Sequence, residues 1–264
     1  MPDVLNAIDV AVSVRFGRVF RKDFFMPVGY TIYDGPSMLD GQRIVVIVTG
    51  LKGSRNTKTG NMVQTYILRP DMHPLEAVRT GADYSICGDC PARGDGTGKG
   101  RICYVTLIHG PRIVWQSYVR GVYPMATPAA VADIVAGKMV RLGTYGDPAA
   151  APLAIWETLV TKAEGWTGYT HQWRTAGAGW SRLVMASADS MADSREAWLR
   201  GYRTFRVGAA PMTGREVNCP ASKEAGERTQ CVSCKLCMGS TSKAPVSIQI
   251  APHGAGARHY KEAA

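Results

Sequence analysis

The sequence predicts an α/β protein arranged as a full or partial (βα) barrel of parallel strands, with cysteine-rich loops attached to it. From about residue 128, apolar runs of strand length alternate with helical segments, which is the signature of parallel βα units. The predicted strands end in polar residues, and in a barrel these ends share one face. An open doubly wound sheet is the alternative, but no glycine fingerprint for a dinucleotide follows any predicted strand. The strand-end residues are Asp147, His171, Asp189, Cys219 and His253.

The individual elements follow from local patterns. Residues 44–48 form a β-branched run that predicts a strand, and a second strand is expected near 63–68, after a polar loop. Thr127 and Pro128 begin a helix, because proline fits the first helical turn. Further strands are predicted at 139–144, 166–170, 183–186, 204–207, 216–218 and 246–250, and further helices at 152–164 and 193–199.

Length and composition favour one soluble domain. The chain has 264 residues, of which 45% are hydrophobic and 20% charged. We expect one barrel-like domain over 41–255, an irregular N-terminal segment over 1–40 and a tail over 256–264. No apolar run approaches the roughly 18 residues of a membrane-spanning helix, and no secretory signal is visible. A reduced, cytoplasmic protein without membrane contact is therefore predicted.

The chain is basic, with a formal net charge of +10 and a pI of about 9.4. A positive field favours contact with nucleic acid or another polyanion through phosphate attraction. A soluble basic enzyme is the alternative, because thiolates bound to metal would add negative charge that the formal count omits.

Seven cysteines fall into two groups that suggest metal binding. The later group is a C-x-x-C-x-x-C run, which brings three thiolates within reach of one ion or cluster. Either Cys219 or His253 could complete this site, and a purely structural zinc knuckle is the alternative to a reactive centre. The three cysteines of the run are Cys231, Cys234 and Cys237.

The earlier group consists of Cys87, Cys90 and Cys103 in a glycine-rich, charged loop. Three thiolates there suit a cluster with an open coordination position, or a zinc site completed by His73 or His109. Buried structural thiols are the alternative. Seven cysteines and one histidine give eight ligands, enough for two sites of four.

Three strand-end residues are candidates for catalysis. Asp147 could bind an amine or a ribose hydroxyl or act as a base, although Gly-Asp-Pro is also a common turn. His171 lies among side chains that can hydrogen-bond or stack, and Asp189 ends the next strand in a similar way.

On these residues, the chain resembles the radical S-adenosylmethionine barrel enzymes over about residues 80–255. The loop with Cys87, Cys90 and Cys103 matches the family's three-cysteine loop, and Gly146-Asp147-Pro148 looks like its Gly-Gly-Glu-Pro strand end. The resemblance implies an iron–sulfur cluster on the loop and S-adenosylmethionine bound near Gly146, Asp147 and Tyr169. The spacing differs, because the family has C-x-x-x-C-x-x-C and this chain has C-x-x-C, twelve residues, then C.

Two further resemblances exist. The Cys-Gly-Asp-Cys-Pro, Gly-Asp-Pro-Ala and Tyr-Thr-His-Gln-Trp blocks are similar to those of a phage- and plasmid-borne family of unknown function, which implies the cytoplasm of a bacterial host. The late cysteines with His253 resemble the zinc site of the tRNA-guanine transglycosylases and their DNA-modifying relatives. That resemblance implies Asp147 or Asp189 as the nucleophile or base-reading carboxylate.

These patterns together predict a metalloenzyme that modifies nucleic acid or a nucleotide, with an iron–sulfur cluster on the first loop and zinc or an auxiliary cluster on the second. S-adenosylmethionine is the small-molecule cofactor that the first resemblance implies. Two alternatives stay open: a zinc-containing base-exchange transglycosylase, and a non-catalytic, zinc-stapled nucleic-acid-binding protein.

Overall fold

The computed structural model describes residues 26–54, 56–212, 214–223, 225–226, 228–241, 246–253 and 256–260. The strands are β1 Gly29–Pro36, β2 Arg43–Thr49, β3 Val63–Leu68, β4 Met139–Tyr145, β5 Gly165–Thr167, β6 Tyr169–Thr170, β7 Met185–Ala188, β8 Thr204–Val207, β9 Glu216–Asn218 and β10 Ser247–Ile250. The helices are α1 Pro74–Thr80, α2 Tyr84–Cys87, α3 Gly110–Val119, α4 Pro128–Ile134, α5 Leu153–Val160, α6 Trp180–Leu183, α7 Met191–Leu199 and α8 Cys231–Cys234. Within these ranges, no helix has both the length and the apolar character that a membrane crossing requires.

The strands form two five-stranded sheets in the orders β1-β2-β3-β4-β5 and β6-β7-β8-β10-β9. The hairpin β1–β2 and the pair β2–β3 are antiparallel, and every other pairing is parallel. The α/β class with mainly parallel strands is therefore confirmed.

The two sheets are joined where the sequence predicted a single strand over 166–170. Gly168 alone separates β5 from β6, and a Cβ atom there would lie 2.7 Å from Val184 Cγ1. Since β5 pairs with β4 and β6 pairs with β7, the chain passes from one sheet into the other at this residue.

The expectation of a full barrel is not met in the residues that the structure describes. The first sheet ends at β1 and the second at β9, and no strand pairing joins these two edges. The antiparallel hairpin β1–β2 extends the first sheet beyond β3, so the parallel series begins at β3.

The predicted boundaries at both chain ends need correction. Gly29–Pro36, assigned to an irregular segment over 1–40, forms β1 and pairs with β2 along its length. Within the same predicted segment, residues 1–25 lie outside the described residues. In the predicted tail, Ala257–His259 form a 3-10 turn, and the Tyr260 hydroxyl donates to the Val207 carbonyl at 2.8 Å. Residues 256–260 are therefore attached to the domain.

The most fully buried part of the core is β2, where Ile44–Val48 have no exposed surface. Covering layers on both sides of the sheet explain why this strand reads as a continuous apolar run. Trp156 of α5 is also fully buried, and its indole Nε1 donates to the Pro148 carbonyl at 2.9 Å, which ties α5 to the turn after β4.

The predicted start of α4 is confirmed at Thr127, whose hydroxyl accepts from the Ala130 amide at 3.2 Å. Replacing Thr127 with alanine removes this cap, so we expect about 1 kcal/mol of lost unfolding free energy in urea titrations. Thr158→Ala is the matched control: its hydroxyl only donates to the Ala154 carbonyl within α5, and alanine is a better helix former. Equal losses in both variants would contradict the capping role.

A buried ion pair connects the second sheet's far strands. Arg206 of β8 and Glu216 of β9 lie 2.8 Å apart, with side chains 1% and 0% exposed. Glu216 Oε2 also accepts from the Met212 amide at 3.0 Å. Because β8 and β9 flank β10, this pair joins two strands that are not hydrogen-bonded to each other.

Candidate functional site

One cavity of about 250 Å³ lies at the carboxyl ends of the parallel strands. All five predicted strand-end residues line it, which confirms that they share one face: Asp147 follows β4, His171 follows β6, Asp189 follows β7, Cys219 follows β9, and His253 lies beyond β10. All seven cysteines line the same cavity, and none forms a disulfide. The two cysteine groups, far apart in sequence, therefore occupy the walls of a single space.

The first cysteine group is held by a loop that folds back on itself. Cys87 ends α2, Cys90 precedes a 3-10 turn, and the Cys103 amide donates to the Ala92 carbonyl at 3.0 Å. Gly94 allows the return, because a Cβ atom there would lie 2.3 Å from the Lys99 carbonyl oxygen.

Burial raises the pKa of two thiols in the first cysteine group. It raises the pKa of Cys87 well above its usual value, and the neighbouring Cys90 and Cys103 raise it further. Burial likewise raises the pKa of Cys103. These two thiols are neutral at physiological pH unless a bound cation displaces their protons.

The second cysteine group rests on the loop between β2 and β3. The amides of Cys231 and Val232 donate to the Lys58 and Thr59 carbonyls at 3.1 and 3.0 Å. A Cβ atom at Gly60 would lie 2.6 Å from Val232 Cγ1, so glycine permits this close approach. The polar loop between β2 and β3 thus supports α8.

Cys219 belongs with this second group. Burial raises the pKa of Cys237 to about 12; a hydrogen bond from Tyr169 lowers it in part, and Cys231, Cys219 and Cys234 raise it. The Cys219 amide is fixed by the Gln249 carbonyl at 2.8 Å. Four thiols from β9, α8 and the turn after α8 therefore lie together.

His253 is occupied by other contacts. Its Nδ1 lies 3.0 Å from the Ala251 carbonyl and its Nε2 lies 3.5 Å from Lys58 Nζ. The ring also stacks on Tyr104, with centroids 5.4 Å apart. These contacts favour Cys219 over His253 as the fourth ligand of the second group.

Arg141 of β4 brings a positive charge to the second group. Its Nη2 donates to the Tyr104 hydroxyl in a short hydrogen bond, and its buried Nε has no partner within the described part of the chain. Burial raises the pKa of Cys231, and the Arg141 guanidinium lowers it in part. A cation therefore lies beside thiols that would be anionic only with a metal bound.

Asp147 and Gly146 close the turn after β4. The Asp147 oxygens accept from the Ala149 amide at 2.9 Å and from the His171 amide at 2.8 Å. Burial raises the pKa of this carboxyl, and its hydrogen bonds counteract the rise. A Cβ atom at Gly146 would lie 2.7 Å from Ile67 Cβ. Both residues line the cavity, but their contacts fix the end of β4 to that of β6.

His171 connects the first cysteine group to Asp189. Its Nε2 lies 4.0 Å from Cys90 Sγ and 3.5 Å from Asp189 Oδ1. Burial lowers the pKa of His171, but the charges of Cys90 and Asp189 outweigh it and leave the pKa well above 6.5. The imidazole therefore holds a proton inside the cavity at neutral pH.

Replacing Asp189 with asparagine should lower the pKa of His171 in metal-free protein, measured by NMR titration of the ring. Because the folded pKa lies above the unfolded one, the wild-type pair stabilises the fold below about pH 6.5, and this contribution is lost as pH rises through the folded pKa. The Asp189→Asn variant should therefore lose less unfolding free energy than wild type as the pH rises from about 6.5 through the folded pKa of His171. An unchanged ring titration would contradict the Asp189 contact.

Tyr169 lies with the second group. Its hydroxyl forms a hydrogen bond with Cys237, and its ring packs on Phe205 with centroids 4.6 Å apart. It lines the cavity, as predicted for a cofactor-binding residue, although that role stays a prediction.

Sequence reasoning missed Tyr104 and Arg141, which also line the cavity; Lys58, which lines it too, belongs to a polar loop that the sequence indicated as either a phosphate-binding loop or a solvated turn. The signal for Arg141 was present, because it is a charged residue inside a strand-length apolar run. His73 and His109, considered as zinc ligands, are not among the cavity's lining residues; His73 instead caps α1 by accepting from the Leu75 amide at 3.1 Å.

Within the described ranges, no group of three or more His, Cys, Asp or Glu side chains is arranged to hold a metal ion. Comparison with protein-family models, curated proteins and solved structures found no match. The function must therefore be argued from the chemistry of the cavity itself.

Proposed function

We propose that this protein is a metal-dependent enzyme in which two thiolate-held centres, at least one of them an iron–sulfur cluster, lie on the walls of one cavity. The observation that carries the proposal is the convergence of seven cysteines, none of them in a disulfide and all from two distant parts of the chain, on the carboxyl ends of the parallel strands. We take the strands from β3 through β9 to be a partial barrel around this cavity.

Two features of the cavity suit such centres. Thiols in a buried wall suit a metal ion, because the bound cation offsets the thiolate charge that burial otherwise disfavours. Arg141 supplies the complementary feature: its buried Nε has no partner within the described residues and needs an acceptor, and its positive charge favours an anionic one. A metal bound by Cys231 and Cys237 would supply that anionic group.

The two sets of thiols imply different roles. Cys219, Cys231, Cys234 and Cys237 would together supply a four-ligand shell, as in structural or auxiliary centres. Cys87, Cys90 and Cys103 provide three ligands, which leaves a coordination position for a substrate or cofactor. When bound, an iron–sulfur centre of this kind supplies electron transfer at its open position.

The chain's own residues prepare the cavity for this chemistry. Asp147 fixes the ends of β4 and β6 through two backbone amides. His171 holds a proton at Nε2 beside Cys90, where it can be donated to a bound group. Side chains such as Phe205, Val207 and Ile248 exclude water from the remaining wall.

The proposed substrate is a nucleotide or nucleic acid, on the strength of the net charge of +10 and of Lys58 and Arg101 in the cavity lining. Neither Lys58 nor Arg101 has a carboxylate within salt-bridge distance in the described residues. The assignment of S-adenosylmethionine as the cofactor is supported only by the resemblance to the radical S-adenosylmethionine enzymes.

The test is anaerobic purification followed by metal and sulfide analysis and visible absorbance. Wild-type protein should carry iron and sulfide. The triple variant C87S/C90S/C103S should lose the first centre alone, and C231S/C234S/C237S the second alone. Ser233→Ala, an exposed change between two of the cysteines, is the control and should retain both.

Zinc without iron or sulfide would overturn the iron–sulfur assignment. If such a protein also bound nucleic acid in a salt-dependent manner, unaffected by His171→Ala, the non-catalytic alternative would replace this proposal. Protein that takes up no metal under reducing conditions would refute both.

A further inference from the structure

The Tyr145 hydroxyl is buried without a partner. Tyr145 ends β4, is 3% exposed and lines the cavity, and its Oη has no hydrogen-bond partner within the described residues. Leaving a buried hydroxyl unsatisfied is unfavourable, and native proteins rarely retain such groups without a reason. A group that is not part of this chain would satisfy it.

The surroundings of this hydroxyl identify that group. The titratable residues whose charges act on Tyr145 are Cys87, Asp83, Arg101 and Cys103. Asp83 is already paired with Arg93 at 2.6 Å, and Arg101 donates to the Cys103 and Val105 carbonyls at 3.1 and 2.9 Å. The first cysteine group is what remains on that side of the cavity.

The hydroxyl is available as a donor. Burial raises the pKa of Tyr145 well above 10, and the charges of Cys87 and Asp83 raise it further, so the phenol keeps its proton. A phenol O–H can donate to a metal-bound sulfur or oxygen and so hold the bound group in one orientation.

We propose that the Tyr145 hydroxyl donates a hydrogen bond to the group held by Cys87, Cys90 and Cys103, and that Tyr145 is a positioning residue of the first centre. This inference rests on the proposed function, because it requires a metal centre on these thiols. It assigns to β4 a direct role in holding that centre, in addition to the turn formed by Asp147.

The test compares two variants that each remove a buried, unpartnered hydroxyl. Tyr145→Phe acts in the cavity. Thr204→Val is the matched control, because Thr204 Oγ1 in β8 is also buried without a partner in the described residues but does not line the cavity. In metal-free protein both variants should melt at the wild-type temperature or above it.

The variants should differ once metal is bound. After reconstitution with Fe²⁺ and sulfide, and in parallel with Zn²⁺ alone, Tyr145→Phe should lose metal from the first centre to a chelator at about tenfold lower concentration than wild type, since outer-shell partners contribute about 10–100-fold to metal affinity. Thr204→Val should match wild type. Metal at the first centre is identified as the metal that wild type binds and that C87S/C90S/C103S lacks.

Equal retention in Tyr145→Phe and wild type would overturn the role of Tyr145 and leave the proposed function intact. A marked fall in the melting temperature of metal-free Tyr145→Phe would also overturn it, because the hydroxyl would then have a partner in the protein. Failure of wild type itself to take up metal at the first cysteines would instead refute the proposed function, and this inference with it.

Discussion

Removing the metal from the second centre should lower the melting temperature of the protein by about 8–16 °C. A ligand that binds only the folded state at 1,000 times its dissociation constant stabilises that state by about 4 kcal/mol. In a chain of this length each kcal/mol corresponds to about 2–4 °C. The effect is large because the four thiols of the second group, two of them buried and two half-buried, would lose their bonds to the metal.

The measurement is thermal unfolding before and after treatment with a strong chelator, repeated on C231S/C234S/C237S. Chelation should lower the melting temperature of wild type by more than that of the variant, which starts from a reduced value and retains only the first centre. Ser233→Ala should respond as wild type does. A melting temperature that chelation does not alter would contradict a stabilising centre at these cysteines.

The second large effect is expected at the buried ion pair. Replacing Glu216 with glutamine removes the carboxylate charge that lies 2.8 Å from the Arg206 guanidinium, whose side chain is 1% exposed. Breaking a buried pair on one side costs about 3–5 kcal/mol, because the remaining charge stays desolvated. The loss should appear as a lower midpoint in urea unfolding.

Two controls separate charge from packing in this case. Glu196→Gln removes a surface carboxylate that pairs with both Arg174 and Arg200, where each such pair contributes about 0–1 kcal/mol. The double variant Arg206→Met/Glu216→Leu removes both charges and should recover much of the stability lost in Glu216→Gln. If the double variant were as unstable as the single one, the loss would reflect packing and not an unpaired charge.

The sequence predicted those parts of the fold that depend on local pattern. Strand β4 was predicted within one residue of its observed end, and the polar residue Asp147 shortly after it lines the cavity. The same rule placed Asp147, His171 and Asp189 on one face, because parallel strands present their carboxyl ends together.

Features that depend on distant contacts were not predictable in this way. β1 mixes polar and apolar residues and is stabilised by pairing with β2, so no local signal separated it from an irregular segment. The division of the predicted strand at Gly168 depends on Val184 and Leu142. The unpartnered Tyr145 hydroxyl is likewise visible only once the cavity is assembled.

The contact between the β2–β3 loop and α8 has a consequence for biosynthesis. Gln230 Nε2 donates to the Thr57 carbonyl across 173 positions of sequence. At about 5–20 residues per second, the ribosome needs about 10–35 s to deliver α8 after the loop has emerged. The first cysteine group lies within one short stretch, so its ligands emerge together and much earlier. The ligands of the proposed first centre are therefore all synthesised well before the ligands of the proposed second centre are complete.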